Sequence, residues 1–130
     1  MRRIAFLFLF CFAIAPAYAA EPPAPAPKFV VFFQEWSAKL DDAAVAVIGQ
    51  AAASAKAHPG ALAHVEGFAD PTGSKKANAL LTDLRAQVVM DQLQTDGVPV
   101  SRIVGRGHGS VRFALTSQEG RRVEITIGGR

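Results

Sequence analysis

Four of the eight residues from Glu21 to Lys28 (EPPAPAPK) are proline. Proline fixes φ and has no amide hydrogen to donate, so such a stretch cannot sit inside a helix or a central strand. It reads as an extended spacer of about 25 Å, and it divides the chain. Whatever folds lies after it, from Phe29 onward. About 100 residues can bury roughly two-thirds of their unfolded surface and hold together without disulfides.

The segment ahead of the spacer is of a different kind. Met1-Arg2-Arg3 leads into the apolar run Ile4 to Ala15, followed by Pro16 and the small residues Ala17-Tyr18-Ala19-Ala20. That order predicts a secretory signal peptide over residues 1–19, cut between Ala19 and Ala20. Residues 20–28 are then the spacer and 29–130 the folded domain. The run of 12 apolar residues makes a helix of about 18 Å against a hydrocarbon core of about 30 Å. No transmembrane anchor is expected once the leader is gone. Its removal also takes Arg2, Arg3 and Cys11, the one cysteine, and lowers the formal charge from +3 to +1. A near-neutral chain is a poor nucleic-acid binder. Without cysteine it has no thiol nucleophile, disulfide or thiolate metal site.

The remainder alternates between strand-like and helix-like patterns. Phe29 to Phe33 (FVVFF) is an unbroken apolar run and predicts a strand covered on both faces. Asp41 and Asp42 open a helix, with Ala44, Ile48, Ala51, Ala52 and Ala55 as its buried stripe, and Pro59-Gly60 stops it. Leu62 to Gly67 is a second strand, and Phe68 to Lys75 a loop. A second helix runs from Lys76 or Asn78 to Gln94, with Leu80, Leu81, Leu84, Val88 and Leu93 as its core stripe. Arg102 to Arg106 is a short third strand, and Gly105 through Gly120 reads as loop. Val123, Ile125 and Ile127 alternate with polar residues in a final half-buried strand. The order β-α-β-α-β-β predicts an α+β two-layer sandwich, a mixed four-stranded sheet with both helices on one face.

Signs of catalysis are weak. His58, His64 and His108 lack metal spacing, and no cofactor or metal site is predicted. Gly105 to Gly109 follows a strand, but no helix start or lysine comes after it as a phosphate loop requires. No serine sits in a nucleophile elbow. The chain does not read as an enzyme.

Arg85 says more. Its helical neighbours Leu81, Thr82, Val88 and Val89 include no acid, so it has no local ion-pair partner. Either its stem covers the core edge while its head reaches water, or something distant supplies a partner. Asn78, two turns earlier, shares its face, and Asp70 in the preceding loop can fold back over that face. An acid, an amide and an arginine around one cleft suit a zwitterion, the acid taking an ammonium and the arginine fork a carboxylate.

The same residues carry a family resemblance. Gly67-Phe-Ala-Asp70-Pro-Thr72-Gly73, then Asn78 and Leu81-x-x-x-Arg85-Ala86, resembles the OmpA-like C-terminal domain. That module binds peptidoglycan in porins, peptidoglycan-associated lipoproteins and flagellar stator proteins. Gly97-Val98-Pro99-x-x-Arg102-Ile103, Gly107-His108-Gly109 and Arg121-Arg122-Val123-Glu124 continue the match in order, over Phe29 to Ile127. The resemblance implies non-covalent binding of diaminopimelate in the peptidoglycan stem peptide. Asp70 would meet its ammonium and Arg85 its carboxylate, Thr72 and Asn78 would add hydrogen bonds, and Arg121 (or Arg122) would border the site. It implies a periplasmic location beside peptidoglycan and the outer membrane, with envelope proteins as further partners.

The sequence also departs from the family pattern. The aspartate usual after the first strand is replaced by Gln34-Glu35-Trp36-Ser37. The usual asparagine before the arginine pair is Gly120, and a usual glutamate is Ser110. Trp36 is expected to cover the core at the rim, or else to stack on ligand. A domain so altered could instead have become a protein-interaction module on the same fold.

Overall fold

The structure, a computed structural model, describes Ala20, residues 24–110 and residues 120–129. The predicted leader, 1–19, lies outside the described residues, as does most of the stretch leading to Gly120. No described helix is long and apolar enough to cross a membrane.

The elements are β1 (Lys28–Phe32), α1 (Asp42–Ala57), β2 (Leu62–Ala69), α2 (Lys75–Thr95), a short 3-10 turn (Val100–Arg102), β3 (Ile103–Ser110) and β4 (Arg122–Gly128). The four strands form one sheet in the order β1-β4-β2-β3. β4 pairs antiparallel with both β1 and β2, whereas β2 and β3 run parallel. This is the mixed α+β arrangement predicted, with α1 and α2 packed on one face. The strand residues facing them are Val31, Ala63, Val65, Ala69, Val123, Ile125 and Ile127, all buried.

α1 forms as its sequence dictates. Asp41 is the N-cap, its carboxylate accepting from the Ala44 amide at 2.7 Å, and Asp42 adds charge at the positive end. Its buried residues are Ala44, Ile48, Ala51, Ala52 and Ala55, the predicted stripe. Arg102 closes the other end, donating from Nη2 to the carbonyls of Ala55 (2.6 Å) and His58 (2.8 Å). This leaves fewer carbonyls of the last turn unpaired.

Four expectations need correction. β1 is an edge strand, not one covered on both faces: Val31 is buried, but Phe32 is 43% exposed. It also begins at Lys28, and the Pro27 carbonyl accepts from the Ile127 amide at 2.9 Å. A proline can do this at a sheet edge because only its donor is missing.

Phe68, assigned to a loop, lies in β2. On the sheet's open face it stacks on His108 (centroids 4.9 Å apart) and lies beneath the Arg122 guanidinium at 4.3 Å.

Gly105 to Gly109 is strand, not loop. Glycine there answers packing. Gly67 and Gly107 are paired across β2 and β3, and a Cβ on either would fall 2.5 Å from backbone or side-chain atoms of Thr82 and Asp83 in α2. The pair lets the helix settle onto the sheet. The amides of Gly107 and Gly109 then donate to Asp83 Oδ1 (2.9 Å) and Thr82 Oγ1 (3.0 Å). Side chains from α2 thus occupy an edge that would otherwise be open to pairing.

The last correction concerns α2 itself. Its buried residues are Asn78, Thr82, Arg85, Ala86, Val89 and Leu93. Of the predicted stripe only Leu93 is buried, while Leu80 is 62% and Leu84 52% exposed. The helix turns a partly polar face inward.

Candidate functional site

That polar face meets two loops. Asp70 follows directly on β2, at the end of the strand, and the chain then turns through Pro71, Thr72 and Gly73 into the Ser74 cap of α2. Asn78 fixes this turn. Its amide donates to the carbonyls of Asp70 (3.1 Å) and Thr72 (2.7 Å). The second loop is Gln34 to Ser37, between β1 and α1.

Arg85 joins the loops. It is fully buried, so its head does not reach water. Nε donates to the Ser37 carbonyl at 2.8 Å and Nη2 to the Gln34 carbonyl at 2.9 Å. The guanidinium lies over Phe33, 5.2 Å from the ring centroid. Burial, and next the charge of Arg121, lower its pKa, against a smaller raising effect of Asp70. An arginine stays protonated under such pressure, so its charge calls for a partner.

Asp70 and Arg85 do not pair with each other. Asp70 Oδ2 meets Arg121 Nη1 at 3.3 Å, and Arg121 Nε donates to the Phe33 carbonyl at 3.3 Å. Arg122 leaves the cleft for the open face of the sheet, donating to Glu124 Oε1 at 2.9 Å. Arg121 is therefore the arginine of the pair that borders the site.

Among the described residues, two buried atoms remain unpaired here: Asp70 Oδ1, an acceptor, and Arg85 Nη1, a donor. Both residues line one cavity with Thr72, Asn78, Leu81 and Arg121, and Glu35 and Trp36 complete its wall. Leaving a charged group's hydrogen bond unmade in a buried site costs more than the bond's usual net worth. An acceptor carrying negative charge and a donor carrying positive charge, facing one space, are chemically set for a zwitterion. A Cβ at Gly120 would collide with Asp70 Oδ1. Glycine where the family has asparagine is thus what this Asp70 position permits.

All five predicted site residues, Asp70, Thr72, Asn78, Arg85 and Arg121, meet around this cavity. Trp36 does not cover the core. It is 55% exposed at the cavity mouth. Sequence reasoning missed the carbonyls of Gln34 and Ser37 as the anchors of Arg85, because backbone acceptors leave no mark in a sequence. The histidines lie apart from the cleft: His58 caps α1 and bonds the Ser54 carbonyl at 2.8 Å, and His108 faces Glu66 at 3.4 Å.

Comparison with known proteins bears on the fold and the family. The model of the OmpA family matches residues 32–125. The probable lipoprotein YiaD of Escherichia coli (strain K12) is 35% identical over 103 residues, which is 75% of this chain and 47% of that protein. The chain thus spans about half the length of that curated relative. Among solved structures, the peptidoglycan-associated lipoprotein from Burkholderia pseudomallei superposes with a TM-score of 0.71 at 25% identity, covering 76% of this chain and 89% of that one. The OmpA-like domain of FopA1 from Francisella tularensis gives 0.69 at 21% identity, over 76% and 70%. The periplasmic domain of Helicobacter pylori MotB gives 0.67 at 21%, over 82% and 78%. These last two share the fold.

Proposed function

The chain belongs to the OmpA family, and from that premise we propose that its domain binds peptidoglycan, without catalysing a reaction, through the zwitterionic centre of diaminopimelate in the stem peptide. The observation that carries this reading is the pair of buried, unpaired atoms facing one cavity, Asp70 Oδ1 and Arg85 Nη1. The ligand's ammonium donates to the first and its carboxylate accepts from the second. Arg121 holds the far oxygen of Asp70 and orients the carboxylate. The Thr72 side chain contributes at the rim. Asn78 contributes by fixing the carbonyls of Asp70 and Thr72. The relatives include a peptidoglycan-associated lipoprotein of the same fold, which supports the ligand class. A periplasmic location at the peptidoglycan layer follows from the same reading, with the 1–19 segment as the export signal.

Co-sedimentation of the mature chain with purified sacculi tests it. The unsubstituted chain should pellet. Asp70→Asn keeps the shape but removes the charge, and should weaken binding about ten- to a hundredfold, the worth of a charge-assisted bond of ~1.5–3 kcal/mol. Failure of the unsubstituted chain to pellet sinks the reading. It would favour a protein-interaction module, for which the altered Gln34-Glu35-Trp36 stretch at the cavity wall is the supporting observation.

A further inference from the structure

Deepening that reading, on which it rests, we infer that Trp36 is a movable roof that determines specificity: it lifts off Gly73 to admit the ligand and closes on the aliphatic stem joining diaminopimelate's two amino-acid centres.

The roof is shut in this structure. Only about 10 Å³ of the cavity is open to water, room for a single molecule at most. An ammonium, a carboxylate and the carbon they share do not fit there. The two unpaired atoms therefore cannot be reached by a zwitterion until something in the wall moves.

Trp36 is the wall element built to move. Its backbone lies at φ +52°, and among the described residues no other non-glycine has a positive φ. A bulky side chain is disfavoured in that region and is held there only by its surroundings. More than half of the side chain is exposed, so little core packing holds it. The ring rests on Gly73, itself at φ +86°, where a Cβ would collide with the indole Cη2. Two left-handed residues from two loops thus meet over the mouth, and the contact needs glycine on one side.

The turn carrying Trp36 is tied to the ligand site. The carbonyls of Gln34 and Ser37, on either side of the indole, are the ones that hold Arg85, and the Ser37 amide closes the turn on Gln34 at 3.2 Å. A carboxylate arriving at Arg85 Nη1 thus engages the same guanidinium that anchors the roof. Once the indole closes, its face offers apolar contact to methylenes and a cation–π surface to a nearby ammonium.

Trp36 is the chain's one tryptophan, so its emission reports this position alone. The experiment titrates the mature chain with a stem tripeptide ending in meso-diaminopimelate, following calorimetry, tryptophan emission and acrylamide quenching together. Emission should change along the calorimetric isotherm, and quenching should fall at least twofold at saturation. Trp36→Gly should weaken binding at least fivefold, whereas Trp36→Phe should stay within about twofold. Glycine suits the left-handed backbone, so W36G should melt no lower than the parent. Should W36G prove unstable, the unsubstituted chain's emission and W36F still decide. Unchanged emission and quenching, with calorimetric binding that Asp70→Asn weakens at least tenfold, would overturn the roof and leave the site standing. Full affinity in W36G would do the same. No calorimetric binding by the unsubstituted chain would overturn both.

Discussion

The two helices obey different rules, although they lie side by side on one sheet. In α1 the residues at apolar spacing are the buried ones, residue for residue, and every one is alanine or isoleucine. In α2 the buried face carries Asn78, Thr82 and Arg85, while Leu80 and Leu84 face solvent. α1 is seated on the sheet through a wholly apolar face, its polar contacts confined to its two ends. α2 is placed by two glycines that let it approach, by hydrogen bonds from its side chains to β3, and by an arginine that reaches into the β1–α1 turn. Hydrophobic periodicity locates a helix's inner face only where nothing polar needs to be inside. At the inner face of α2 that condition fails.

The largest effect expected from this contrast is at Gly107. If the approach of α2 depends on the glycine pair, Gly107→Ala should destabilise the domain by about 3 kcal/mol or more, because the neighbours it would strike include helix backbone and cannot yield cheaply. Gly49, in α1, has no atom within 4 Å of an added Cβ, and Gly49→Ala should stabilise by about 0.5–1 kcal/mol. Urea melts of both variants check the pair. A mild loss at Gly107 would mean that α2 is not seated by close approach.

Next in size are two fully buried side chains, Ile48 in α1 and Arg85 in α2. Ile48→Ala should cost about 2–4 kcal/mol through the cavity it leaves, with ligand binding per folded molecule unchanged. Arg85→Met fills most of the volume and removes an expensive buried charge, but strands the carbonyls of Gln34 and Ser37. The two terms oppose, so its net cost should be smaller, about 1–2 kcal/mol. Its binding, however, should vanish. Paired melts and sacculus binding would separate the helices by function. Intact binding in Arg85→Met would remove α2's claim to the site.

This asymmetry also marks how far the sequence could be read. The order of elements, the α1 stripe, the alternation in β4 and the cluster of Asp70, Asn78 and Arg85 were all legible, because each follows from spacing or from side-chain chemistry. β3 was not. Gly105, Gly107 and Gly109 resemble a loop when only the local chain is considered, and become strand residues once a helix needs their missing Cβ atoms. Nor was the exposure of Phe32, since strand order decides which strand lies at an edge, and order is set by pairings far apart in sequence. In the cleft, Arg121 could not be told from Arg122 by pattern. Alternation along β4 sends them to opposite faces, one to Asp70 and one to Phe68.

The smallest expected effect gives the sharpest test, because the two readings of α2 differ most there. If Leu84 were part of a core stripe, as its spacing with Leu80, Leu81 and Val88 predicts, Leu84→Gln would bury an amide and cost about 2–4 kcal/mol. The structure leaves half of Leu84 in solvent and turns it away from the sheet. Glutamine has nearly the helix propensity of leucine, so the backbone term is small as well. The variant should therefore stay within about 0.5 kcal/mol of the parent, the range of ordinary surface substitutions. Leu80→Gln, still more exposed, should do no more, and the double variant should lose only a few tenths of a kcal/mol beyond the two singles, about the worth of their i,i+4 contact. Thermal melts of the single and double variants measure this directly. A loss of 2 kcal/mol or more in either single variant would show α2 rotated about its axis, with Arg85 carried out of the cleft.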